Sequence, residues 1–389
     1  MKPKKILCIL SKYNYRDKKR GKSAEYNMIH TSLKKIYKKN VYFINTSDKK
    51  FKTIFDLNNF ILRKVNLIKP NIVFFAVNTY EVFLETIYEI KKKNKCKIIN
   101  WFSDDSWRYE QHSKYFAKIS DLAITNHYIS HLKNKKQDIR SVLTSWGCPD
   151  NWISETKKAD ECKYDVSFVG NNYFDRENHI NFLKQNGIKV KCFGNKWNNS
   201  QSVSEEELRF IFRNSKISLN FSKSRGKIKQ TKARIFEITG SGGFCITENS
   251  KELRNYFKRN EVISFSNKFE LLKKINFFLE NQKKRNEFAI RGNLKTKKFF
   301  KNSYLIKNII KEVNIENFQN KSNFFKRKTY LYSNSNFLKL ILKIIIMPFK
   351  KNKKIVKILR RIFFEIEWRL RGELTYTKNG FCSYLFNFD

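Results

Sequence analysis

Residues 71–102 read NIVFFAVNTYEVFLETIYEIKKKNKCKIINWF and decide the fold of the N-terminal half. The segment holds two continuous apolar runs, at 71–77 and 97–102, separated by a polar-faced stretch long enough for a helix. Strands of a parallel sheet are apolar on both faces because helices cover both sides of the sheet. The segment therefore predicts a β-α-β unit of a parallel sheet.

The same alternation of apolar strands and helix-like segments continues along most of the chain. Further runs up to residue 146 are KILCIL at 5–10, VYFIN at 41–45, LAITN at 122–126 and SVLTSW at 141–146. A second series contains YDVSFVG at 164–170, IKVKCFG at 188–194, ISLNFS at 217–222, FCITE at 244–248 and VISFS at 262–266. The pattern predicts two doubly wound α/β domains.

The polar segment at 148–163 breaks this rhythm and is the predicted linker. We expect an N-terminal domain over 1–150, a second domain over 163–315 and a basic C-terminal extension over 316–389. The apolar run at 337–347 contains two lysines and is far shorter than the roughly 20 residues that span a bilayer.

The extension contains a basic amphipathic helix. Its apolar residues at helical spacing are Ile355, Leu359, Ile362, Ile366 and Leu370. Such a helix is typical of attachment to an anionic membrane surface, here through residues 337–371. A helix packed on the body of the protein explains the pattern equally well.

The net charge of +46 suggests a polyanionic partner, either nucleic acid or an anionic membrane. The lysines are dispersed among abundant Asn, Ile and Phe, as an A- and T-rich base composition would produce, so we do not expect a nucleic-acid partner. The seven cysteines are far apart and form no CxxC pair, which indicates reduced thiols in the cytoplasm. The apolar stretch at 6–10 is too short for a signal peptide and predicts a first strand.

Two segments at predicted strand ends carry candidate ligand-binding residues. Gly170 and Asn171 follow a strand and precede a helix, where backbone N–H groups can approach a phosphate; a simple turn is the alternative. In the segment 224–248, Lys232 and Arg234 suit a diphosphate, and the Glu237 carboxylate suits ribose hydroxyls.

The glycines that follow this helix have two interpretations. Gly240, Gly242 and Gly243 would let the backbone pass close to a ligand. They would equally form a helix C-cap and turn.

The motifs KARIFEITGSGGFCITE, ELLKKINFFLENQKKRNEFAIRGN, DVSFVGN and WFSDDSW together resemble the CgeB-like, spore-maturation glycosyltransferases of the GT-B class. The resemblance covers roughly residues 97–310. It implies two Rossmann-like domains facing a cleft, with the nucleotide-sugar donor in the second domain and the acceptor in the first. It also implies that Glu237 binds the ribose, that Arg234 is the arginine preceding that glutamate, and that Gly242 and Gly243 form the turn beside the donor. Many retaining relatives carry a glutamate where this chain has Lys229, which leaves the anomeric outcome open.

Asp104 and Asp105 follow the predicted strand at 97–102 and are the candidate catalytic pair. Either carboxylate would orient an acceptor hydroxyl or act as general base; for Asp105, a helix N-cap is the alternative. The pair also resembles a metal-binding pair, but GT-B enzymes as a class need no metal, and the five histidines show no ligand spacing. We therefore expect no metal and no cofactor.

These observations predict an enzyme that moves a sugar from a nucleotide diphosphate sugar to an acceptor hydroxyl. The resemblance, with the basic C-terminal helix, further implies a hexosyltransferase type and a glycan or lipid-linked acceptor in cell-surface glycan synthesis. We expect it in the cytoplasm, with peripheral attachment to the inner face of the cell membrane if the C-terminal helix binds lipid. A non-catalytic polyanion-binding protein and a donor-binding relative without turnover are the alternatives.

Overall fold

The computed structural model describes residues 4–77, 80–94, 96–197, 203–224, 228–313, 344–345, 347–349 and 352–380. They fall into two compact units. The first contains the described parts of 1–16, 33–143 and 310–389; the second contains 17–32 and 144–309. Most of the apolar run predicted at 337–347 lies outside the described residues.

The first unit is built on a six-stranded parallel sheet. Its strands are β1 (Ile6–Leu10), β2 (Val41–Asn45), β3 (Ile72–Ala76), β4 (Lys97–Phe102), β5 (Leu122–Thr125) and β6 (Ser141–Leu143), in the spatial order β2-β1-β3-β4-β5-β6. The helices in this part of the chain are α1 (Thr31–Tyr37), α2 (Ile54–Ile68), α3 (Leu84–Asn94), α4 (Asp105–Arg108), α5 (Lys114–Ile119) and α6 (Tyr128–Lys135). The strands β1 and β3 are buried along their whole length, as continuous apolar runs predict.

The second unit repeats this architecture with five parallel strands. They are β7 (Tyr164–Val169), β8 (Val190–Phe193), β9 (Ser215–Asn220), β10 (Cys245–Glu248) and β11 (Ile263–Phe265), in the order β11-β10-β9-β7-β8. The helices are α7 (Arg176–Gln185), α8 (Glu205–Arg213), α9 (Ala233–Gly240), α10 (Leu253–Tyr256), α11 (Lys268–Glu280), α12 (Gln282–Phe299) and α13 (Asn302–Val313). The predicted pair of Rossmann-like, parallel-sheet domains is confirmed.

Residues 148–163, predicted as the linker, pack against the second unit. The buried guanidinium of Arg285 on α12 donates to the carbonyl of Lys157 at 2.7 Å and to the carbonyls of Lys216 and Ser215 at 2.6 and 2.8 Å. One buried cation thus joins this segment to the start of β9, and its charge is distributed over backbone acceptors.

A last helix, α14 (Lys353–Arg371), belongs to the first unit. The turn that follows it, Gly372–Tyr376, carries Tyr376 into the core, where its ring lies 5.2 Å from that of Phe116 and its hydroxyl donates to the carbonyl of Gln111. No helix in the described ranges is both long and apolar enough to cross a membrane.

Both sheets share one feature that positions a ligand site. In each, the second strand lies on one side of the first strand and the third lies on the other, so the winding direction reverses between β1 and β3 and between β7 and β9. In open α/β sheets, ligands bind at the carboxyl ends of the strands at such a switch point. The fold therefore directs attention to the loops that follow β7 and β9 and to those that follow β1 and β3.

Candidate functional site

The loop after β7 is tied to the loop after β8. The carbonyl of Gly170 accepts a hydrogen bond from the indole Nε1 of Trp197 at 2.7 Å, and the Asn171 side chain accepts one from the backbone N–H of Asn195 at 3.2 Å. Gly194, at φ +116°, approaches so closely that a Cβ atom there would lie 2.8 Å from the Gly170 carbonyl oxygen. The predicted donor residues Gly170 and Asn171 thus shape and hold the loop at the switch point.

Arg176, the first residue of α7, turns its guanidinium back over this loop. Its Nη1 donates to the carbonyl of Asn171 at 2.8 Å, and the guanidinium lies 5.6 Å from the ring centre of Phe168. Burial lowers the pKa of Arg176, and the charge of Arg234 lowers it further. The folded chain therefore brings two guanidinium groups near each other at this strand end.

Glu248, the last residue of β10, fixes the loop after β9. One carboxylate oxygen accepts the backbone N–H groups of Ser222 and Lys223, both at 3.0 Å, and the other pairs with Lys229 at 2.9 Å. Lys223 in turn pairs with Asp175 at 2.8 Å. Charged side chains from the loops after β7 and β9 and from the end of β10 thus meet at this edge of the sheet.

The outer side of α9 carries the other predicted donor residues. Lys232 occupies the N-cap position, and Arg234 and Glu237 follow on the same side of the helix. Nη1 of Arg234 lies 2.7 Å from a carboxylate oxygen of Glu237, and the two side chains are 28% and 18% exposed. The guanidinium also lies 5.3 Å from the ring centre of Phe212, which holds it against the helix.

Gly242 and Gly243 lie buried at the end of α9. Gly242 has φ +83°, and a Cβ atom there would lie 2.4 Å from the carbonyl oxygen of Glu155; at Gly243 it would lie 2.6 Å from that of Phe212. The N–H of Gly243 donates to the carbonyl of Ile238 at 2.9 Å, which closes the helix end. The close approach that requires glycine here is to the protein's own backbone.

The second unit therefore offers several cations in the same region as the carboxylate of Glu237. The cations are Arg176, Lys223, Lys229, Lys232 and Arg234. Charge-assisted N–H···O bonds are roughly twice as strong as neutral ones, so such a set suits the oxygens of a diphosphate. Glu237, next to Arg234, can accept hydrogen bonds from hydroxyl groups of the same ligand.

Asp104 and Asp105, the predicted catalytic pair of the first unit, lie in different environments. The Asp104 side chain is 44% exposed, 3.9 Å from Arg108. Asp105 begins α4 and is 1% exposed, and its two carboxyl oxygens have no hydrogen-bond partner within the described part of the chain. The sequence alternative, Asp105 as an N-cap, does not apply, because Asp104 occupies that position.

Burial raises the pKa of the Asp105 carboxyl to about 7, although the nearby hydroxyls of Ser113 and Thr125 act in the opposite direction. Burial also lowers the pKa of His127 to about 4, and its Nδ1 lies 3.0 Å from the hydroxyl of Ser130. This part of the first unit is therefore a sealed polar interior, and Asp104 is the member of the predicted pair that solvent reaches.

The switch point of the first unit holds a loop that the sequence did not mark. Tyr15 and Arg16 both have positive φ, at 52° and 65°, and Tyr15 is 81% exposed. Arg16 donates to the carbonyl of Thr46 at 2.9 Å and lies 3.4 Å from the carboxylate of Glu81. Two successive non-glycine residues in this conformation store strain, which is concentrated at functional sites.

Within the described ranges, no group of three or more His, Cys, Asp or Glu side chains is arranged to hold a metal ion. Metal-independent chemistry stays a prediction.

Residues 176–311 match a family model described as glycosyl transferase-like. The matched range includes Arg176, Lys223, Glu237 and Glu248. This part of the chain is therefore similar to glycosyl transferase-like domains. Its CgeB-like subtype stays a prediction, and no curated protein matches the sequence.

Solved structures are similar in fold to both units of the chain. Anabaena Alr3699/HepE in complex with UDP-glucose has a TM-score of 0.60 at 11% identity, over 79% of this chain and 99% of that one. Sucrose-phosphate synthase from Thermosynechococcus elongatus has 0.53 at 9% identity, over 79% and 99%. A proposed UDP-N-acetylglucosamine 2-epimerase from Listeria monocytogenes has 0.51 at 10% identity, over 79% and 96%. These matches confirm the GT-B fold, and the epimerase shows that the fold alone does not select a reaction.

Sequence reasoning missed several charged residues of the site. The sequence does not single out Arg176, Lys223 or Asp175, and it places Glu248 at the end of the predicted donor segment without a role of its own. The available signal was position, since Glu248 ends a strand next to β9 and Arg176 opens the helix after Gly170. Lys229 was noticed only as a departure from related sequences, and the structure pairs it with Glu248.

Proposed function

We propose that this protein transfers a sugar from a nucleotide diphosphate sugar to an acceptor hydroxyl. The observation that carries the proposal is the cluster of Arg176, Lys223, Lys229 and Arg234 beside Glu237 at the switch point of the second unit. The glycosyl transferase-like match over 176–311 supports it, as does the UDP-glucose named for the Anabaena structure.

In the proposed reaction, the bond between the anomeric carbon and the diphosphate oxygen breaks, and the acceptor oxygen forms a new bond to that carbon. The leaving nucleoside diphosphate gains negative charge, which Arg176, Arg234 and the two loop lysines would stabilise. Glu237 would accept hydrogen bonds from the ribose hydroxyls and so fix the donor in register. The acceptor loses its proton to a base, for which Asp104 is the exposed candidate in the first unit.

For the acceptor we propose a hydroxyl of a growing cell-surface glycan or of a lipid-linked sugar. The exposed Tyr15 and Asp104 in the first unit are the side chains we assign to its recognition. An aromatic face and a carboxylate are suited to the apolar and hydroxyl-bearing sides of a sugar ring.

The test is a thermal-shift screen against UDP-, GDP-, CMP- and dTDP-sugars, followed by calorimetry with the best ligand. Bound ligand raises apparent stability by mass action, so one nucleotide class should stand out. Glu237→Gln should weaken that ligand at least tenfold, because two hydroxyl contacts change, whereas the exposed control Glu280→Gln should not. Binding of no nucleotide sugar would overturn the proposal.

The reaction itself is tested by incubating the donor with glycan acceptors and measuring released nucleoside diphosphate and elongated product. Donor binding without release indicates a relative that does not turn over. Release of free nucleotide with an epimerised sugar indicates the other reaction class found on this fold. Polyanion binding that collapses steeply with added salt, without nucleotide-sugar binding, indicates a nucleic-acid-type function.

A further inference from the structure

Helix α14 packs one of its faces on the first unit. Phe364 lies 5.7 Å from the ring of Tyr80, the Trp368 indole donates to the carbonyl of Glu110 at 3.3 Å, and Glu367 is buried in an ion pair with Arg371 at 3.2 Å. This outcome matches the packed helix that the sequence left as one of two alternatives. These contacts involve only one side of α14.

The opposite side carries a stripe of exposed aliphatic residues, one per helical turn. Ile358, Ile362, Ile366 and Leu370 are 53%, 48%, 48% and 79% exposed. Residues four apart in a helix lie on the same side, so these side chains form a continuous ridge. Leu359, one of the apolar residues that the sequence places at helical spacing, is partly buried, as are Val356 and Phe363.

More exposed apolar side chains precede the helix. They are Ile344, Ile345, Met347 and Phe349. Large exposed apolar patches on soluble surfaces mark contacts with another macromolecule or a membrane. We call the four exposed aliphatic residues of α14 and these four preceding residues together the apolar ridge.

The net positive charge of α14 favours an anionic partner. Its sequence has seven basic and two acidic residues, a net charge of +5. Arg361 is exposed beside the ridge, and Arg369 is 62% exposed, 2.5 Å from Glu365. Two copies of such a surface repel each other, whereas anionic headgroups attract it.

We propose that the apolar ridge docks the first unit onto an anionic lipid bilayer. The aliphatic side chains would enter the boundary between headgroups and acyl chains, and the arginines would contact lipid phosphates. The helix would lie in the plane of the surface because its other face is already packed on the protein. This proposal does not depend on the proposed glycosyl transfer.

The test uses the full chain, because removing α14 and the following turn would also remove Tyr376 from the core. The double variant Ile362→Gln and Leu370→Gln keeps a helix-forming side chain and removes two ridge residues. The control, Leu67→Gln with Leu294→Gln, changes two leucines of comparable exposure on other helices. Each protein is sedimented with phosphatidylcholine vesicles and with vesicles that also contain phosphatidylglycerol.

We expect the wild type and the control to sediment with the anionic vesicles, and the ridge variant to partition about tenfold less. Arg361→Gln should weaken partitioning about fivefold, in anionic vesicles only. Equal sedimentation of the ridge variant and the wild type would overturn the proposal. So would a wild-type dimer, seen by light scattering, that the ridge variant dissociates, since a second copy would then cover the ridge. Nucleotide-sugar affinity, measured in parallel, should be the same in all variants.

Discussion

The two sheets of this protein have matching strand orders, but the charged groups that follow their strands differ in burial and pairing. In the second unit, Arg176 is half-buried after β7, and the exposed Lys229 pairs with the buried carboxylate of Glu248. In the first unit, Asp105 also follows a strand, yet it is enclosed and its pKa is raised to about 7. A sequence pattern that places a carboxylate after a strand therefore predicts its location but not its state.

The difference follows from the local structure after each strand. The loops after β7 and β9 diverge at the switch point, which leaves room for solvent and for a ligand. Asp105 follows β4, and α4 begins directly at this residue. Asp104 follows the same strand but precedes the helix, and its side chain is 44% exposed, so the start of α4 separates the accessible carboxylate from the buried one.

The largest expected effect concerns donor binding by the charged cluster of the second unit. Arg176→Met removes a guanidinium near Arg234, and we expect the affinity for the nucleotide diphosphate sugar to fall about a hundredfold, because a charge-assisted contact to phosphate is lost. Calorimetry measures the change. The exposed Arg291→Met on α12 is the matched control and should bind as the wild type does; equal affinity of the two variants would contradict the assigned role of Arg176.

The next largest effect concerns the pH dependence of stability caused by the buried Asp105 of the first unit. The folded state holds the Asp105 proton more tightly than the unfolded chain, in which aspartate has a pKa of about 3.9, so this group costs stability as pH rises from about 4 to about 7. Between pH 5 and pH 8, the free energy of unfolding of the wild type should fall by about 2–3 kcal/mol through this group. Asp105→Asn should abolish that fall. Urea unfolding at both pH values measures it. Asp104→Asn should keep the wild-type pH dependence, and a similar flattening in that variant would show that Asp105 is not its source.

A smaller effect concerns the loop after β9. Lys229→Met leaves Glu248 with its two backbone donors but removes the cation, and we expect donor affinity to fall about tenfold. Lys229→Arg preserves the charge and should restore most of the affinity. If the methionine and arginine variants bind equally, the charge of Lys229 does not contribute to donor binding.

The smallest expected effect concerns Asp104, the exposed member of the aspartate pair, and its contribution to stability. Asp104 is exposed and its ion pair with Arg108 is long, so Asp104→Asn should change the free energy of unfolding by less than about 0.5 kcal/mol. Donor affinity should be unchanged. Turnover with acceptor, measured in the same preparation, reports whether this carboxylate takes part in the chemistry; a loss of stability above 1 kcal/mol would instead assign it a structural role.

The strands were the most predictable part of the molecule. The run at 5–10 contains β1, and the run at 164–170 contains β7, because parallel strands must be apolar on both faces to be covered by helices. The sequence leaves two interpretations of the glycines after α9, and it cannot show that Gly242 and Gly243 approach the backbone of Glu155 and Phe212, which are distant in the chain.

The charged cluster was less predictable for a physical reason. Lys223 and Asp175 come from different loops and meet only because β9 lies next to β7. With 81 lysines and arginines spread along the chain, no spacing separates Lys223 from the rest. Likewise, periodicity identified α14 as amphipathic but could not show which of its apolar residues pack on the first unit.

The burial of Tyr376 has a consequence for synthesis on the ribosome. The first unit needs residues 372–376 to fill the space beside His112 and Phe116, but the whole of 144–309 is translated before them. At typical elongation rates, roughly 10–50 s separate the emergence of residue 143 from that of Tyr376. During that interval the nascent first sheet carries an unfilled core, and the second unit, formed by 17–32 and 144–309, is translated in full before Tyr376.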